Sequence, residues 1–359
     1  MAWVRWFRAR DVFRLSFFAL GLAAPFVGAA ESGGFQKIGV GLYGSNGHQL
    51  SAAFLGAHAH ARLVAVAAMR TATWPASVRV HASLEALLAD SDVAIVSLCS
   101  PQRGDQARDA VRCLEAGKHV YAEKPAALTE RDLDVVLATA KRTGKQFHEM
   151  AGTAFVPNYA AMRRLVREGA VGEVVQVLVQ KSYRYGLSRP QDEAIDGGQF
   201  LQSGVHAARM IEHVGGVRIK SVSGWETLFG SPEPGAGRMA AAAQLELENG
   251  GIATFIVNYL NPGHPRLPHG YETLRVFGTK GFIESVDGGA RTRLVTATAM
   301  TEPLVGGEPG DYFDFVARHL VAGVAMPLTS DEELHPLRML LRAKEKMRAA
   351  KPAAAPARP

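Results

Sequence analysis

Short apolar runs alternate with amphipathic segments between residues 37 and 150, and this alternation restricts the fold more than any other feature of the chain. KIGVGLY (37–43), RLVAVAAM (62–69) and DVAIVSLC (92–99) are continuous apolar runs of strand length. A parallel strand that is covered on both faces has this composition. Helical segments separate the strands, so the sequence predicts a doubly wound parallel sheet of Rossmann type.

Two further strands and four helices complete this predicted domain of residues 37–150. The strands are HVYAE (119–123) and QFHEM (146–150). The helices are expected from Gly47 to about Ala57, after Ser83, over residues 105–117, and from Thr129 to Gly144. Thr129 and Asp132 have the spacing of a capping box, which supports the start of the last helix.

The pattern changes after residue 151, where strand candidates dominate. A helix at 157–169, a strand at 174–185 and a helix at 197–216 come first, and runs of strand character then follow to residue 300. Hairpin turn signals occur at Asn249-Gly250 and at Gly278–Gly281. We therefore expect a second α+β domain over residues 151–345, with an open, mostly antiparallel sheet and late helices at 311–323 and 336–350.

The two ends of the chain predict targeting and disorder. Residues 1–30 join a basic stretch to a short apolar run, which is the form of a secretory signal peptide. Such a peptide predicts a periplasmic or secreted protein; if the start codon is misassigned, the protein is cytoplasmic. The apolar run is short for a spanning helix and contains Pro25, so no stable membrane span is expected. Residues 350–359 are expected to be disordered.

Composition excludes several classes of function. The formal net charge is +6, but no basic stripe interleaved with aromatic residues occurs, so no nucleic-acid partner is expected. The chain has two cysteines, Cys99 and Cys113. Two cysteines make neither a metal site alone nor a disulfide framework, and both are interpreted as small buried hydrophobic residues with no metal.

The first strand-to-helix turn, GLYGSNGHQ (41–49), is a candidate nucleotide-binding loop. Such loops need glycine where the backbone approaches a pyrophosphate. A G-x-G-x-x-G pattern that starts at Gly44 requires glycine at 46 and 49, where this chain has Asn46 and Gln49. The alternative interpretation, a glycine-rich turn that binds no ligand, therefore remains open. The candidate cofactor-binding residues in this turn are Gly44, Ser45, Asn46, Gly47 and His48.

The end of the second strand bears on the choice of cofactor. An acidic residue at this position commonly binds the ribose 2′-hydroxyl of NAD. This chain has Arg70 instead, which can meet the 2′-phosphate of NADP or can be an ordinary surface arginine. Both NADP and NAD stay open, with Arg70 favouring NADP.

Three segments together resemble a known family. SLCSPQ (97–102), LEAGKHVYAEKP (114–125) and GGQFLQSGVH (197–206) are similar to segments of the Gfo/Idh/MocA oxidoreductases, the family of glucose–fructose oxidoreductase and inositol dehydrogenase. The resemblance implies a Rossmann domain, then an α/β domain with an open antiparallel sheet. It also implies an NAD or NADP cofactor, a small-molecule sugar or polyol as substrate, and a homo-oligomer formed through the open sheet face.

The resemblance assigns roles to the end of the strand at 119–123. Lys124 would stand beside the nicotinamide and contact the substrate hydroxyl, Glu123 would contact the cofactor or order the site, and Pro125 would fix the bend. An ammonium group near the reacting carbon can stabilise a developing alkoxide. The other cofactor-binding residues implied by the resemblance are Ser100, Pro101 and Gln102. A Glu–Lys surface pair at a strand end is the alternative interpretation.

The resemblance also assigns His206 as a general base that accepts the hydroxyl proton. Where the family has Asp four residues earlier, this chain has Gln202, which can form hydrogen bonds but cannot stabilise an imidazolium by charge. With Lys124 close by, His206 is expected to be neutral in the resting protein. Two further departures are Arg209, in place of an acid, and Ala154, in place of an arginine.

Three residues are candidates for contacting the substrate. Lys181 and Tyr183 alternate with Ser182 along a strand and so share one face, where they could compensate for Ala154. His148 lies at the end of the last Rossmann strand, at the edge where such sheets bind ligands.

The sequence thus predicts an NAD(P)-dependent oxidoreductase that transfers a hydride between nicotinamide and a carbinol of a sugar or polyol. Two alternatives remain. The irregular glycine turn and Gln202 are compatible with a non-redox sugar- or cofactor-binding protein on the same fold. An NAD-using, glycosidase-like enzyme is the other.

Overall fold

A computed structural model of the chain describes residues 36–71, 73–185, 192–230, 237–264, 270–307 and 309–349. The predicted signal peptide at 1–30 and the predicted tail at 350–359 lie outside these ranges. None of the helices within the described ranges combines the length and the apolar composition that a membrane crossing requires.

The first sheet of the described chain has six strands, all parallel, in the order β3-β2-β1-β4-β5-β6. Its strands are β1 (Ile38–Tyr43), β2 (Ala61–Ala67), β3 (Arg79–His81), β4 (Ile95–Leu98), β5 (His119–Ala122) and β6 (Phe147–Glu149). The connecting helices are α1 (Ala52–Ala57), α2 (Leu84–Leu88), α3 (Gln106–Glu115) and α4 (Glu130–Thr143). The strand order reverses between β1 and β4: β2 and β3 are added on one side of β1, and β4 to β6 on the other. In such sheets ligands bind at this point, outside the carboxyl ends of the strands.

The predicted parallel sheet is confirmed, and the local signals behind it have structural counterparts. Ser83 and Thr129 accept backbone hydrogen bonds from Ala86 and Asp132 and so cap α2 and α4. The strand β3 carries no apolar run and was not predicted; its first two residues are exposed.

The second sheet of the described chain has eight strands in the order β14-β13-β12-β11-β7-β10-β9-β8. Its strands are β7 (Val174–Tyr183), β8 (Ile219–Thr227), β9 (Ala240–Leu247), β10 (Ile252–Asn258), β11 (Gly270–Gly278), β12 (Gly281–Val286), β13 (Arg291–Thr296) and β14 (Met300–Thr301). Its accompanying helices are α5 (Pro157–Arg167), α6 (Glu193–Asp196), α7 (Gly198–Gln202), α8 (Gly204–Arg209), α9 (Tyr312–Ala322) and α10 (Ser330–Ala349). Neighbouring strands are antiparallel except β7 and β10, which are parallel. The mostly antiparallel sheet predicted from the sequence is therefore confirmed.

The two faces of the second sheet differ in exposure, and strand residues alternate between them. Val177, Phe255 and Leu274 are buried on the face that helices cover. Trp225 and Ile256 are on the other face and are 60% and 42% exposed. One face therefore belongs to the core, and the other remains open in the single chain.

The helix predicted over 197–216 is not continuous. It is divided into α7, α8 and a π-helical turn at Met210–Val214. At the first junction the His206 amide bonds the carbonyl of Ser203, which is three residues back, so the α-helical ladder is interrupted there. The prediction of one helix is wrong at this junction, because the apolar pattern continues through it.

The last helix begins six residues before the predicted start at Pro336. Proline lacks an N–H, so the carbonyl of Glu332, four residues earlier, loses its helical donor. His213 Nε2 lies 2.8 Å from this carbonyl oxygen and supplies the missing hydrogen bond. Burial lowers the pKa of His213 to about 3, so the ring is neutral and its hydrogen resides on Nε2. A tertiary contact therefore lets proline sit inside α10.

Candidate active site

The carboxyl ends of β1, β4 and β5 meet at one edge of the first sheet, and the candidate site is built from the segments that follow them. In the loop after β1, Gly44 and Gly47 have φ angles of +75° and +116°, which side chains disfavour. A Cβ at Gly44 would lie 2.0 Å from the Cys99 carbonyl oxygen, and one at Gly47 would lie 2.6 Å from Glu123. Both glycines therefore allow close packing of this loop.

Gln49 explains how the loop forms without the third glycine of the motif. Its amide nitrogen lies 3.0 Å from the carbonyl oxygens of both Gly44 and Ser97 and donates to them. Its Oε1 accepts from the hydroxyl of Ser97 at 2.5 Å. The helix predicted to follow Gly47 therefore begins only at Ala52, after a longer loop that side-chain hydrogen bonds hold in place.

Asn46 connects this loop to two other segments. Its side-chain amide donates to the carbonyl oxygen of Pro101 at 3.2 Å and to that of Ile195 at 2.5 Å. Its own carbonyl accepts from the guanidinium of Arg103 at 2.6 Å. The loop after β1, the loop after β4 and α6 are thus joined at one point.

The remaining predicted cofactor residues have different settings. The Ser100 hydroxyl is buried and donates to Asp109 at 2.8 Å, so it is directed into α3, whereas Pro101 and Gln102 are exposed. Ser45 Oγ accepts from the Arg70 amide at 3.1 Å, and the Arg70 side chain is exposed. Arg70 therefore stands beside the loop after β1, as its proposed role requires.

Glu123 is a buried carboxylate at the end of β5, with a side chain that is 1% exposed. Burial alone would raise its pKa, but the hydrogen bond with His48 and the charges of Lys124 and Arg103 together bring the pKa below its ordinary value. His48 Nδ1 lies 3.1 Å from Glu123 Oε1. Glu123 Oε2 is buried and has no hydrogen-bond partner within the described chain.

Lys124 follows directly and is 5% exposed. Its Nζ lies 3.8 Å from Glu123 Oε1 and donates to the Gln202 carbonyl at 3.2 Å. The bond between Lys124 and Pro125 is cis. The two segments that were predicted to converge, the end of β5 and the helix of His206, are therefore in contact.

His206 is half-buried, and its two ring nitrogens lie in different environments. Nδ1 lies 3.0 Å from the hydroxyl oxygen of Thr153, while Nε2 has no hydrogen-bond partner among the described residues. Burial, followed by the positive charges of Lys181 and Lys124, holds the pKa of His206 well below its ordinary value. The ring is neutral, which agrees with the sequence-based expectation.

Gln202 makes a contact that the sequence did not indicate. Its Oε1 accepts from the Tyr259 hydroxyl at 2.9 Å. Tyr259 comes directly after the end of β10, and Thr153 follows β6, so both lie just beyond strand ends. Their position after a strand was the signal by which the sequence could have identified Tyr259 and Thr153. Their residue types alone did not indicate a role in the site.

Lys181 lies on the buried face of β7, opposite Glu272 on the antiparallel neighbour β11. The two side chains form an ion pair, and Glu272 also accepts from the Tyr159 hydroxyl at 2.9 Å. The Tyr183 ring centroid lies 5.2 Å from Lys181 Nζ, which confirms that both side chains occupy one region. Glu272 and Tyr159 are additions to the predicted substrate group.

His148 lies in β6, at the end of the first sheet, and both of its ring nitrogens have partners. Its Nδ1 lies 2.9 Å from Glu333 and its Nε2 lies 3.0 Å from Gln146. It contributes to a pocket of about 440 Å³ with Lys141 and His319. Both ring nitrogens are thus already engaged by protein groups, and the substrate contact of His148 stays a prediction.

The cysteines are buried and free within the described chain.

A separate group elsewhere brings His58, His60 and Asp314 to metal-ligand spacing. The His60 amide donates to His58 Nδ1 at 3.1 Å, so a neutral His58 carries its hydrogen on Nε2. This Nε2, 3.5 Å from Asp314, presents a hydrogen and not a lone pair, while Arg318 neutralises the same carboxylate at 2.9 Å.

The residues at the strand ends fit a nicotinamide nucleotide. Two buried polar atoms, Glu123 Oε2 and His206 Nε2, have no partner within the described chain, and a buried polar atom normally has one. Gly44 and Gly47 give the loop after β1 two positions without a side chain, both at positive φ. These features provide a phosphate-side loop and a ring-side polar pair in the same region.

Comparisons with known proteins agree with this geometry. Residues 36–150 match the oxidoreductase family with an NAD-binding Rossmann fold, and residues 159–284 match the GFO/IDH/MocA C-terminal domain. The chain belongs to the GFO/IDH/MocA oxidoreductase family, whose members bind NAD or NADP. The family resemblance predicted from three segments is thereby confirmed.

Curated relatives share part of the sequence. An uncharacterized oxidoreductase of Rhizobium meliloti is 31% identical over 157 residues, which are 42% of this chain and 47% of that protein. Myo-inositol 2-dehydrogenase of Thermotoga maritima is 25% identical over 201 residues, 55% of this chain and 58% of that protein. The chain thus spans about half the length of the curated relatives it matches.

Solved structures share the fold. WlbA dehydrogenase from Bordetella pertussis, in complex with NADH and UDP-GlcNAcA, has a TM-score of 0.72 at 20% identity and covers 88% of this chain and 97% of that one. Biliverdin reductase from Synechocystis, in complex with biliverdin and NADP+, has a TM-score of 0.71 at 21% identity and covers 86% and 98%. At this identity the likeness establishes the fold alone.

Proposed function

We propose that the protein is an NAD(P)-dependent oxidoreductase that acts on a CH–OH group of a sugar or polyol. The observation that carries the proposal is that Lys124 contacts the segment before a half-buried, neutral His206, whose buried Nε2 has no partner among the described residues. A base needs a vacant nitrogen within reach of a hydroxyl, and an oxygen that gains negative charge needs a cation.

The chain's own residues divide the work on the substrate hydroxyl. For Nε2 of His206 to accept the proton, Nδ1 must carry the ring hydrogen and donate it to Thr153. Lys124 then stabilises the negative charge that develops on the substrate oxygen. When bound, the nicotinamide supplies the hydride acceptor or donor. Glu123 balances the ammonium charge from 3.8 Å away.

A hydroxyl-rich substrate is supported by the polar residues beside this pair. Lys181 and Tyr183 offer donors, and Glu272 and the Tyr159 hydroxyl oxygen offer acceptors, in the same region of the second sheet. Alternating donors and acceptors suit neighbouring hydroxyl groups, each of which both donates and accepts. The name of the myo-inositol 2-dehydrogenase relative points to a polyol in that protein, and we propose the same substrate class here.

The test is to denature the purified full chain and identify any released nucleotide, then to assay nicotinamide absorbance with a panel of polyols and aldoses. Released NAD(P) together with turnover of at least one panel member supports the proposal. A protein that binds a sugar but neither holds nor turns over nicotinamide would instead be a binding protein, and net cleavage of a glycoside would indicate a glycosidase-like enzyme.

We propose NADP as the preferred cofactor because Arg70 stands where NAD-binding proteins commonly have an acid. Replacing Arg70 with alanine is expected to weaken NADPH binding about 10-fold, since a charge-assisted hydrogen bond contributes about 1.5–3 kcal/mol. The variant should leave NADH binding unchanged. Titration of nicotinamide fluorescence measures both affinities, and equal losses for the two nucleotides would contradict the assignment.

We also propose that the open face of the second sheet joins two copies of the chain. Trp225 on β8 and Ile256 on β10 both pair with Ala242 on the strand between them, β9. The three residues form one row across the exposed face. Exposed apolar groups of this kind are typical of subunit interfaces. Analytical ultracentrifugation should find a dimer or larger assembly for the wild type, and a monomer for Trp225→Glu/Ile256→Glu. A wild-type monomer at micromolar concentration would contradict this proposal.

A further inference from the structure

A buried ion pair lies behind the two proposed reacting groups. Glu149 at the end of β6 and Arg209 in α8 are both 0% exposed, and their side chains are in contact. Arg209 also donates to the Met150 carbonyl at 2.7 Å. Two unpaired charges at this depth would be strongly destabilising, so each of these groups depends on the other.

The two carboxylate oxygens of Glu149 hold two different segments. Oε1 accepts from the amide of Ala126 at 2.7 Å, two residues after Lys124. Oε2 meets the guanidinium of Arg209, which lies three residues after His206 in the same helix. A single carboxylate therefore joins the loop that carries the ammonium group to the helix that carries the imidazole.

Glu149 is itself fixed from the outside of the site. Its backbone amide donates to Glu333 Oε1 at 2.6 Å, and Glu333 Oε2 accepts from the Tyr312 hydroxyl at 2.9 Å. Glu333 is also 0% exposed and belongs to α10. The strand that presents Glu149 is therefore anchored to a long helix, and the carboxylate has a fixed position from which to hold its two partners.

We infer that Glu149 and Arg209 are positioning residues that set the separation between the Lys124 ammonium and the His206 imidazole. The inference rests on the proposed function, because positioning matters only if both groups act on one substrate. Neither residue touches the proposed substrate region directly. A displacement of about 1 Å in a reacting group can cost ~10²-fold in rate, so a mismatch in this pair has a measurable effect.

The decisive variant replaces both charges with apolar groups of similar volume, Glu149→Leu/Arg209→Met. Removing a buried pair together is often neutral for stability, whereas removing one partner is strongly destabilising. The double variant is expected to be more stable than either single replacement and to keep its affinity for NADPH. A moderate fall in melting temperature is expected, because the Ala126 amide and the Met150 carbonyl lose their partners. Its kcat should fall about 10- to 100-fold with KM little changed.

A crystal structure of the double variant provides a readout that does not depend on activity. The Lys124 Nζ to His206 Nε2 distance should differ from the wild-type value by about 1 Å or more. Unchanged distance and kcat within twofold of wild type would overturn the inference. If the wild type itself neither binds nor turns over nicotinamide, the proposed function fails, and the distance measurement still decides whether the pair sets the geometry.

Two single variants complete the experiment. Tyr312→Phe removes an outer hydrogen bond on Glu333 while His148 still holds the same oxygen, and it should leave kcat within twofold of wild type. Arg209→Lys keeps the charge but cannot reach Glu149 and Met150 together, so its kcat should lie between those of the wild type and the double variant. If the double variant does not fold, Arg209→Lys decides: a wild-type kcat for this variant overturns the inference.

Discussion

Replacing Lys124 with alanine is expected to lower kcat by about 10²–10³-fold while nicotinamide binding persists. This is the usual cost of removing one group that stabilises a developing oxyanion in a water-excluded site. The Lys124 side chain is 6% exposed and its ammonium is held against the Gln202 carbonyl, so water cannot readily supply the same stabilisation. Initial rates with the best substrate of the polyol panel provide the measurement.

Lys118→Ala is the matched control for this variant. Lys118 comes just before β5, at the opposite end of the strand from Lys124, and its Nζ donates to the Asp90 carbonyl at 2.9 Å. Its loss should leave kcat unchanged. If Lys124→Ala retains wild-type turnover, Lys124 does not stabilise the substrate oxygen and the mechanism proposed here is wrong.

Replacing His206 with asparagine is expected to cost about 10²–10⁴-fold in kcat/KM, the usual contribution of a positioned general base. Asparagine keeps a hydrogen-bonding side chain but cannot accept the proton. The pH dependence provides a second signature. Because the folded protein holds the pKa of His206 well below its ordinary value of 6.5, the neutral base persists as pH falls through 6.5.

For alcohol oxidation by the wild type, kcat/KM should therefore show no fall near pH 6.5 that is caused by protonation of His206. Protonation of His206 should lower the rate only at more acidic pH. Gln202→Asp tests the cause. A carboxylate at this position would favour the imidazolium, raise the pKa of His206 and move the acid limb towards higher pH. A depressed pKa would be contradicted if the wild type lost activity around pH 6.5 and the His206→Asn variant did not.

Local sequence signals predicted the two sheets because those signals are themselves local. The continuous apolar runs at 37–43 and 92–99 correspond to β1 and β4, both buried on two faces. The Asn249-Gly250 turn signal corresponds to the β9–β10 hairpin. Each of these features is encoded within a few residues, so one sequence was sufficient to identify it.

The division of the helix that carries His206, and the extension of α10 through Pro336, depend on contacts that no local pattern contains. His213 compensates for the missing proline donor from a distant segment. The loop after β1 shows the same limit: the sequence registered Gln49 as a missing glycine, whereas its side chain bonds the carbonyls that shape the loop.

The candidate site was predicted only in part, because it too depends on contacts between distant segments. Lys124 and His206 were identified through a family resemblance, and the contact between Lys124 and the Gln202 carbonyl brings their segments together. Arg209 was noted only as a departure from the family pattern. Its partner Glu149 is far away in sequence and adjacent in space, so the pair could be found only from the folded chain.

A crystal structure of the full chain with bound NADPH tests the central claim most directly. The account predicts the nucleotide phosphates at the loop that contains Gly44 and Gly47, and the nicotinamide ring beside Glu123, with Lys124 Nζ and His206 Nε2 both facing the space next to the ring. A nucleotide bound elsewhere, or a nicotinamide ring separated from one of these two groups by other side chains, would contradict it.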